Sequence, residues 1–155
     1  MSHFDDILRP QALSSGLSVS NKKQLFQRLS EIAAEAYGLD EQAVYERLME
    51  RERLGSTGFG GGVAIPHAKL DDLGSMCAVV ALLDEPIAFD AVDNMPVDVV
   101  FALLSPTDSG AEHLKTLARV SRYLRDERHL ARLRGAGSDE ALFALLSGSE
   151  ARDAA

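Results

Sequence analysis

Val97-Asp98-Val99-Val100-Phe101-Ala102-Leu103-Leu104, preceded by Met76-Cys77-Ala78-Val79-Val80-Ala81-Leu82-Leu83, decides the fold. Both runs have strand length and are almost continuously apolar. A strand with one wet face alternates; one covered on both faces does not. The cover must come from helices, and the chain supplies helical patterns on either side of the two runs. Upstream, Asn21 with Gln24 forms a weak capping-box pair, and Leu25, Leu29, Ile32, Ala33 and Ala36 follow at helical spacing until Gly38. Asp40 caps a second helix with the inward stripe Val44, Leu48 and Arg51. Downstream, Ser109 with Glu112 opens a helix running to about Arg125, with the stripe Leu114, Leu117, Val120 and Leu124. One further pattern surrounds Leu130 and Leu133 and ends at Gly135; another starts at Ser138 and carries Leu142, Leu145 and Leu146. Short strands are expected at Leu17-Ser18-Val19 and Pro86-Ile87-Ala88-Phe89, with a turn at Asp93-Asn94-Met95-Pro96. The expected fold is α/β, a three-layer α/β/α sandwich with a central sheet flanked by helices.

The stretch from Arg51 to Leu70 carries the chemistry. It begins with arginine at a helix end, bends through five glycines between Gly55 and Gly62, and enters the apolar run Val63-Ala64-Ile65 before Pro66-His67. Pro66 fixes its own φ and drives Ile65 toward extended geometry, which places His67 at a rigid strand exit. Glycine amides in such a bend can face an anion. Near neutral pH an imidazole is a nucleophile that needs no separate base. An arginine, an amide-rich bend and an imidazole together suit a phosphoryl group. Arg51 has two readings: it faces the glycine bend, or with Arg53 it complements the helix C-terminus. His113 is either a second imidazole for the same group or a partly exposed first-turn residue. His3 and His129 have no such context.

Composition narrows the classes. The chain has 155 residues, enough for one domain over 1–155 with a core at about 7–146 and flexible termini. A formal net charge of −8 argues against nucleic acid as a partner. The single cysteine, Cys77, sits in an apolar run, reads as a buried small hydrophobe and fits a reducing compartment. No signal peptide and no span of membrane length is visible, so a soluble cytoplasmic protein without membrane insertion is expected. The polar tail from Ser147 should fray. The glycines lack the lysine of a P-loop, and Val63 stands where a dinucleotide fingerprint needs glycine. Metal-ligand spacing is missing around His67 and His113, so no metal and no cofactor is expected. Ser56 and Ser75 lack a nucleophile elbow; Asp90, Asp93 and Asp98 could suggest paired carboxylates, but Asp93-Asn94 is more simply turn chemistry.

Arg51-Glu52-Arg53-Leu54-Gly55-Ser56-Thr57-Gly58 followed by Ala64-Ile65-Pro66-His67 resembles the signature of the EIIA components of the bacterial phosphoenolpyruvate-dependent phosphotransferase system (PTS). Within the fructose/mannitol-like superfamily (EIIA type 2), it is most similar to the nitrogen-regulatory branch. Pro86 to Asn94 leading into Pro96-Val97-Asp98, and the helix with His113-Leu114-Lys115-Thr116-Leu117, are similar as well, so the resemblance covers roughly residues 7–146. It implies a mixed central sheet and a phosphotransferase component. His67 would be the phosphoryl acceptor at Nε2 (a tele-phosphohistidine), Arg51 would stabilise phosphoryl charge, and His113 would give a supporting hydrogen bond. It further implies an HPr-like phosphocarrier as donor. Downstream it implies regulatory protein targets, such as transporters or sensor kinases. The alternative is a sugar-specific subunit passing phosphate to a cognate EIIB domain. Ala68 departs from the family's usual glycine, and its methyl is expected to restrict partner approach.

Overall fold

A computed structural model describes residues 3–148 of the chain. The two apolar runs form its centre. β5 (Cys77–Ile87) and β6 (Val97–Pro106) pair antiparallel, from Cys77 opposite Leu104 to Ile87 opposite Val97. β1 (Leu13–Leu17) lies parallel to β5 on one side. On the other side β3 (Val63–Ala64) and β4 (His67–Leu70) both run parallel to β6, and β2 (Gly58–Gly60) folds antiparallel onto β3. The sheet is mixed, in the order β1-β5-β6-β3-β2 with β4 also on β6.

Alternate residues of the central strands enter different cores. Val79, Ala81, Val100, Ala102 and Leu104 pack with Leu25, Phe26 and Leu29 of α1 (Lys22–Tyr37) and with Val44 and Leu48 of α2 (Glu41–Leu54). Val80, Leu82, Val99, Phe101 and Leu103 pack on the opposite face. There they meet Val120 and Leu124 of α3 (Ala111–Leu124), Leu130 and Leu133 of α4 (Glu127–Arg134), and Leu142 and Leu146 of α5 (Asp139–Ser147). Continuous apolarity therefore has its physical cause: each strand buries both faces, and the three-layer expectation holds. Phe101 lies edge-on to Phe4 at 5.1 Å between ring centroids, tying the N-terminal segment to that second core.

Several boundaries differ from the sequence reading. The strand expected at Leu17–Val19 is β1 and ends at Leu17. The separate strand at Pro86–Phe89 does not exist: Pro86 and Ile87 finish β5, and an irregularity between Leu82 and Ile87 absorbs the proline. Gln24 reaches back to the Ser20 amide (2.8 Å), while Asn21 caps α1 by accepting from the Gln24 amide. Ser109 does not cap α3; Gly110 does, at φ 53°, with no side-chain hydrogen bond. That helix is rotated relative to the expected stripe. His113, Thr116, Val120 and Leu124 face inward, and Leu114 is 68% exposed. Polar residues at two inward positions concealed the true face. The fraying expected of the tail falls mostly on 149–155, outside the described residues, whereas Ser147 closes α5.

Phe101 fills the joint between β6 and Phe4 with no exposure. Phe101→Ala is expected to lower the unfolding free energy by about 3–5 kcal/mol, read from urea denaturation at matched m-value.

Candidate functional site

The edge of the sheet holds the site. β3 and β4 keep one register against β6, with Ala64 opposite Val100 and His67 opposite Leu103, so Ile65 and Pro66 interrupt the ladder without shifting it. His67 is thus the first residue of a strand rather than the exit from one. The Pro66 carbonyl still accepts from the Leu103 amide (2.9 Å), and the Ile65 amide turns outward to the Thr57 carbonyl (3.1 Å). β2 covers only β3, so β4 presents an open edge. An open cleft of about 360 Å³ lies there, walled by α2 residues, by His67, Ala68 and Lys69 of β4, and by His113 of α3.

His67 Nδ1 stands 2.9 Å from the Ile65 carbonyl. A carbonyl only accepts, so Nδ1 carries the proton and Nε2 keeps its lone pair. Burial lowers the pKa of His67 below the ordinary 6.5; the Ile65 bond opposes this, the Arg51 charge adds to it, and the Glu52 charge opposes it. His113 is 7% exposed, with its ring centroid 5.5 Å from that of His67. Its Nδ1 lies 2.7 Å from the Ser105 hydroxyl. Burial, then the neighbouring His67 and Lys69, lower its pKa too. The first-turn position of His113 is therefore an inward one, and the two imidazoles meet in one cleft.

Arg51 satisfies both of its readings. Its Nη1 donates to the Gly55 carbonyl (2.9 Å) just past the end of α2, and the side chain walls the cleft beside His67. It does not complete the buried stripe of α2. That place belongs to Glu52, one residue on, which the sequence reading missed. The Glu52 carboxylate is buried and accepts from Lys22 Nζ (2.9 Å), the Thr57 amide (3.0 Å) and Thr57 Oγ1 (2.6 Å). Its spacing of four from Leu48 was the available signal. Ser105, buried in β6 behind His113, is a second residue to which the sequence reading assigns no role.

The glycines do something other than expected. None of them walls the cleft. Gly60, Gly61 and Gly62 turn the β2–β3 hairpin with φ of 109°, 67° and 82°. A Cβ at Gly62 would sit 2.6 Å from Arg134 Nη2 and 3.0 Å from Asp98 Oδ1, which pair with each other. Asp93 accepts from the Gly61 and Met95 amides, as turn chemistry requires. Ala68 also departs from expectation: strand alternation turns its methyl away from His67 into the core beneath α1 and α2, so it does not stand over the imidazole. Burial pushes the Cys77 thiol up to about 12 and removes it as a nucleophile. His129 stacks on Tyr123 at 4.0 Å, apart from the cleft. Among the described residues no three His, Cys, Asp or Glu side chains cluster as a metal site, and no helix is long and apolar enough to cross a membrane.

Comparison with known proteins places this geometry in context. The model of the family described as phosphoenolpyruvate-dependent sugar phosphotransferase system, EIIA 2, matches residues 6–149. The chain is similar to a nitrogen regulatory protein of Bradyrhizobium diazoefficiens, 46% identical over 92% of this chain and 93% of the relative. It is also 43% identical to a nitrogen regulatory protein of Escherichia coli, over 95% of this chain and 91% of that one. The crystal structure of nitrogen regulatory protein IIA-Ntr from Neisseria meningitidis superposes with a TM-score of 0.85 at 33% identity, covering 91% of this chain and 97% of that one.

Two outcomes follow from the electrostatics. Since both folded pKa values lie below the unfolded 6.5, the histidine pair stabilises the fold fully above pH 6.5, and that contribution is lost as pH falls below it. Imidazole NMR titrations should give midpoints below 6.5 for His67 and His113, and Arg51→Ala should raise the His67 midpoint. Glu52→Ala strands Lys22 and Thr57 and should cost about 3 kcal/mol of stability in a denaturant titration.

Proposed function

The chain belongs to the EIIA 2 family of the phosphoenolpyruvate-dependent sugar phosphotransferase system, and on that premise we propose that His67 Nε2 is the atom that accepts the phosphoryl group. The chain is a nitrogen-type EIIA, a phosphotransferase component. The observation that carries the site assignment is the Ile65–His67 hydrogen bond, which leaves the Nε2 lone pair in a cleft beside Arg51 and a second imidazole.

The step balances without a base. The Nε2 lone pair attacks phosphorus, the bond between phosphorus and the donor nitrogen breaks, and its electron pair returns to the donor imidazole. Positive charge develops on the His67 ring, where the Nδ1–H already points at the Ile65 carbonyl. Arg51 stabilises charge on the equatorial oxygens, and His113 supplies a hydrogen bond to one of them. The donor is an HPr-like phosphohistidine carrier acting in the cytoplasm. Downstream, the phosphorylated and free forms are told apart by regulatory protein targets. The sugar-specific reading, transfer onward to a cognate EIIB domain, has less support, because nitrogen regulatory proteins match at 46% and 43% identity along nearly their whole length.

Incubation with phosphoenolpyruvate, enzyme I and an HPr-type carrier should add one acid-labile phosphoryl group to the intact mass. His67→Ala should abolish the gain, and Arg51→Ala should slow it about 10²-fold. Wild type left unmodified by a competent donor would sink the reading. Rapid loss of the label to an added EIIB domain would favour the sugar-specific alternative.

A further inference from the structure

Ser105 lies near the end of β6, opposite Lys69 and two positions beyond the Leu103 that faces His67 in the ladder. It is fully buried in a strand that is otherwise apolar around it. A hydroxyl there costs stability unless it is paired, and its partner is His113 Nδ1 at 2.7 Å.

We propose that Ser105 is the positioning residue that sets the tautomer of His113, donating its hydroxyl proton to Nδ1 so that Nε2 keeps an N–H for the phosphoryl group on His67. This rests on the phosphotransfer reading and deepens it. The two imidazoles of the cleft have different kinds of partner. The Ile65 carbonyl can only accept, so it fixes the proton of His67 on Nδ1 and frees Nε2 as a nucleophile. The Ser105 hydroxyl can donate, so it allows the opposite tautomer at His113. That opposite arrangement is the one the chemistry needs. A second lone pair facing anionic phosphoryl oxygens would repel them, whereas an N–H donor holds them. One histidine is thus made a nucleophile and the other a donor by the identity of the atom behind each ring. A hydrophobic residue at 105 would pack in the strand but leave His113 free to take either tautomer.

Long-range ¹H–¹⁵N correlation spectra of the imidazoles test this on the whole chain, in the resting and the phosphorylated states. Wild type should show the His113 proton on Nε2 in both. Ser105→Ala should give mixed tautomers at His113 and lower the rate of phosphoryl acceptance about tenfold, with donor KM little changed. Ser105→Thr, which keeps the hydroxyl, should restore both signals. A His113 proton on Nδ1 in the wild-type phosphoprotein overturns the assignment, as does Ser105→Ala with wild-type tautomer and rate. The wild-type spectra decide the matter even if the alanine variant fails to fold. Wild type that takes no phosphoryl group from a competent donor overturns the phosphotransfer reading instead, and the resting spectrum then judges the tautomer by itself.

Discussion

One carbonyl organises this molecule. Along the broken edge strand the amide groups alternate between facing β6 and facing outward, and Ile65 faces outward. The hairpin partner satisfies its N–H through Thr57, but β2 does not continue far enough to take its C=O. A buried carbonyl without a partner is costly, and the side chain two residues on provides one. The same bond that completes the backbone accounting therefore fixes the tautomer of His67. Proline at 66 keeps the interruption in place, having no N–H to give to the ladder while its carbonyl still holds Leu103.

The rest of the stretch from 51 to 62 holds that edge at the right height. Glu52 is buried where an apolar residue would complete the stripe of α2, and it joins α1 through Lys22 to the start of the hairpin through Thr57. Lys22 Nζ also lies 4.2 Å from the centroid of the Phe89 ring, so its charge is neutralised on one side and cushioned on the other. Replacing such a cluster by hydrophobes need not destabilise a protein, but it would lose the directional bonds that set where Thr57, and hence Ile65, must be. The glycines belong to this scaffold. They allow a tight hairpin against the Arg134–Asp98 pair and leave ligand contact to side chains.

Much of this was legible in the sequence, and the failures have causes. Apolar runs at strand length gave the centre of the sheet, and caps at Asn21, Asp40 and Ser138 gave three helix starts. His67 and Arg51 stood out by residue type beside a proline and a bend. Periodicity misled where polar residues face inward: α3 buries His113 and Thr116, so a stripe built from leucines put Leu114 in the core. The same blindness hid Glu52 and Ser105, whose burial is justified by hydrogen-bond partners on other elements that periodicity does not reveal. Glycine-rich composition signalled a bend correctly but could not say whether its amides would face a ligand or a turn.

A phosphoryl carrier must receive its cargo and release it again, and on the proposed reading the cleft suits that balance. Partial burial keeps His67 neutral, which favours attack, and it also makes the added charge of about −2 costly to hold. On the proposed reading Arg51 would offset that cost, from a side chain anchored at the Gly55 carbonyl. Arg47 and Lys69 extend the positive wall, with Glu50 as counterweight. In a protein whose net charge is −8, this small cationic cleft is a local inversion of sign. Phosphorylation of His67, as proposed, would cancel that inversion. The two states would then differ in the charge they show at one open edge, and charge at that edge is what a partner protein can read.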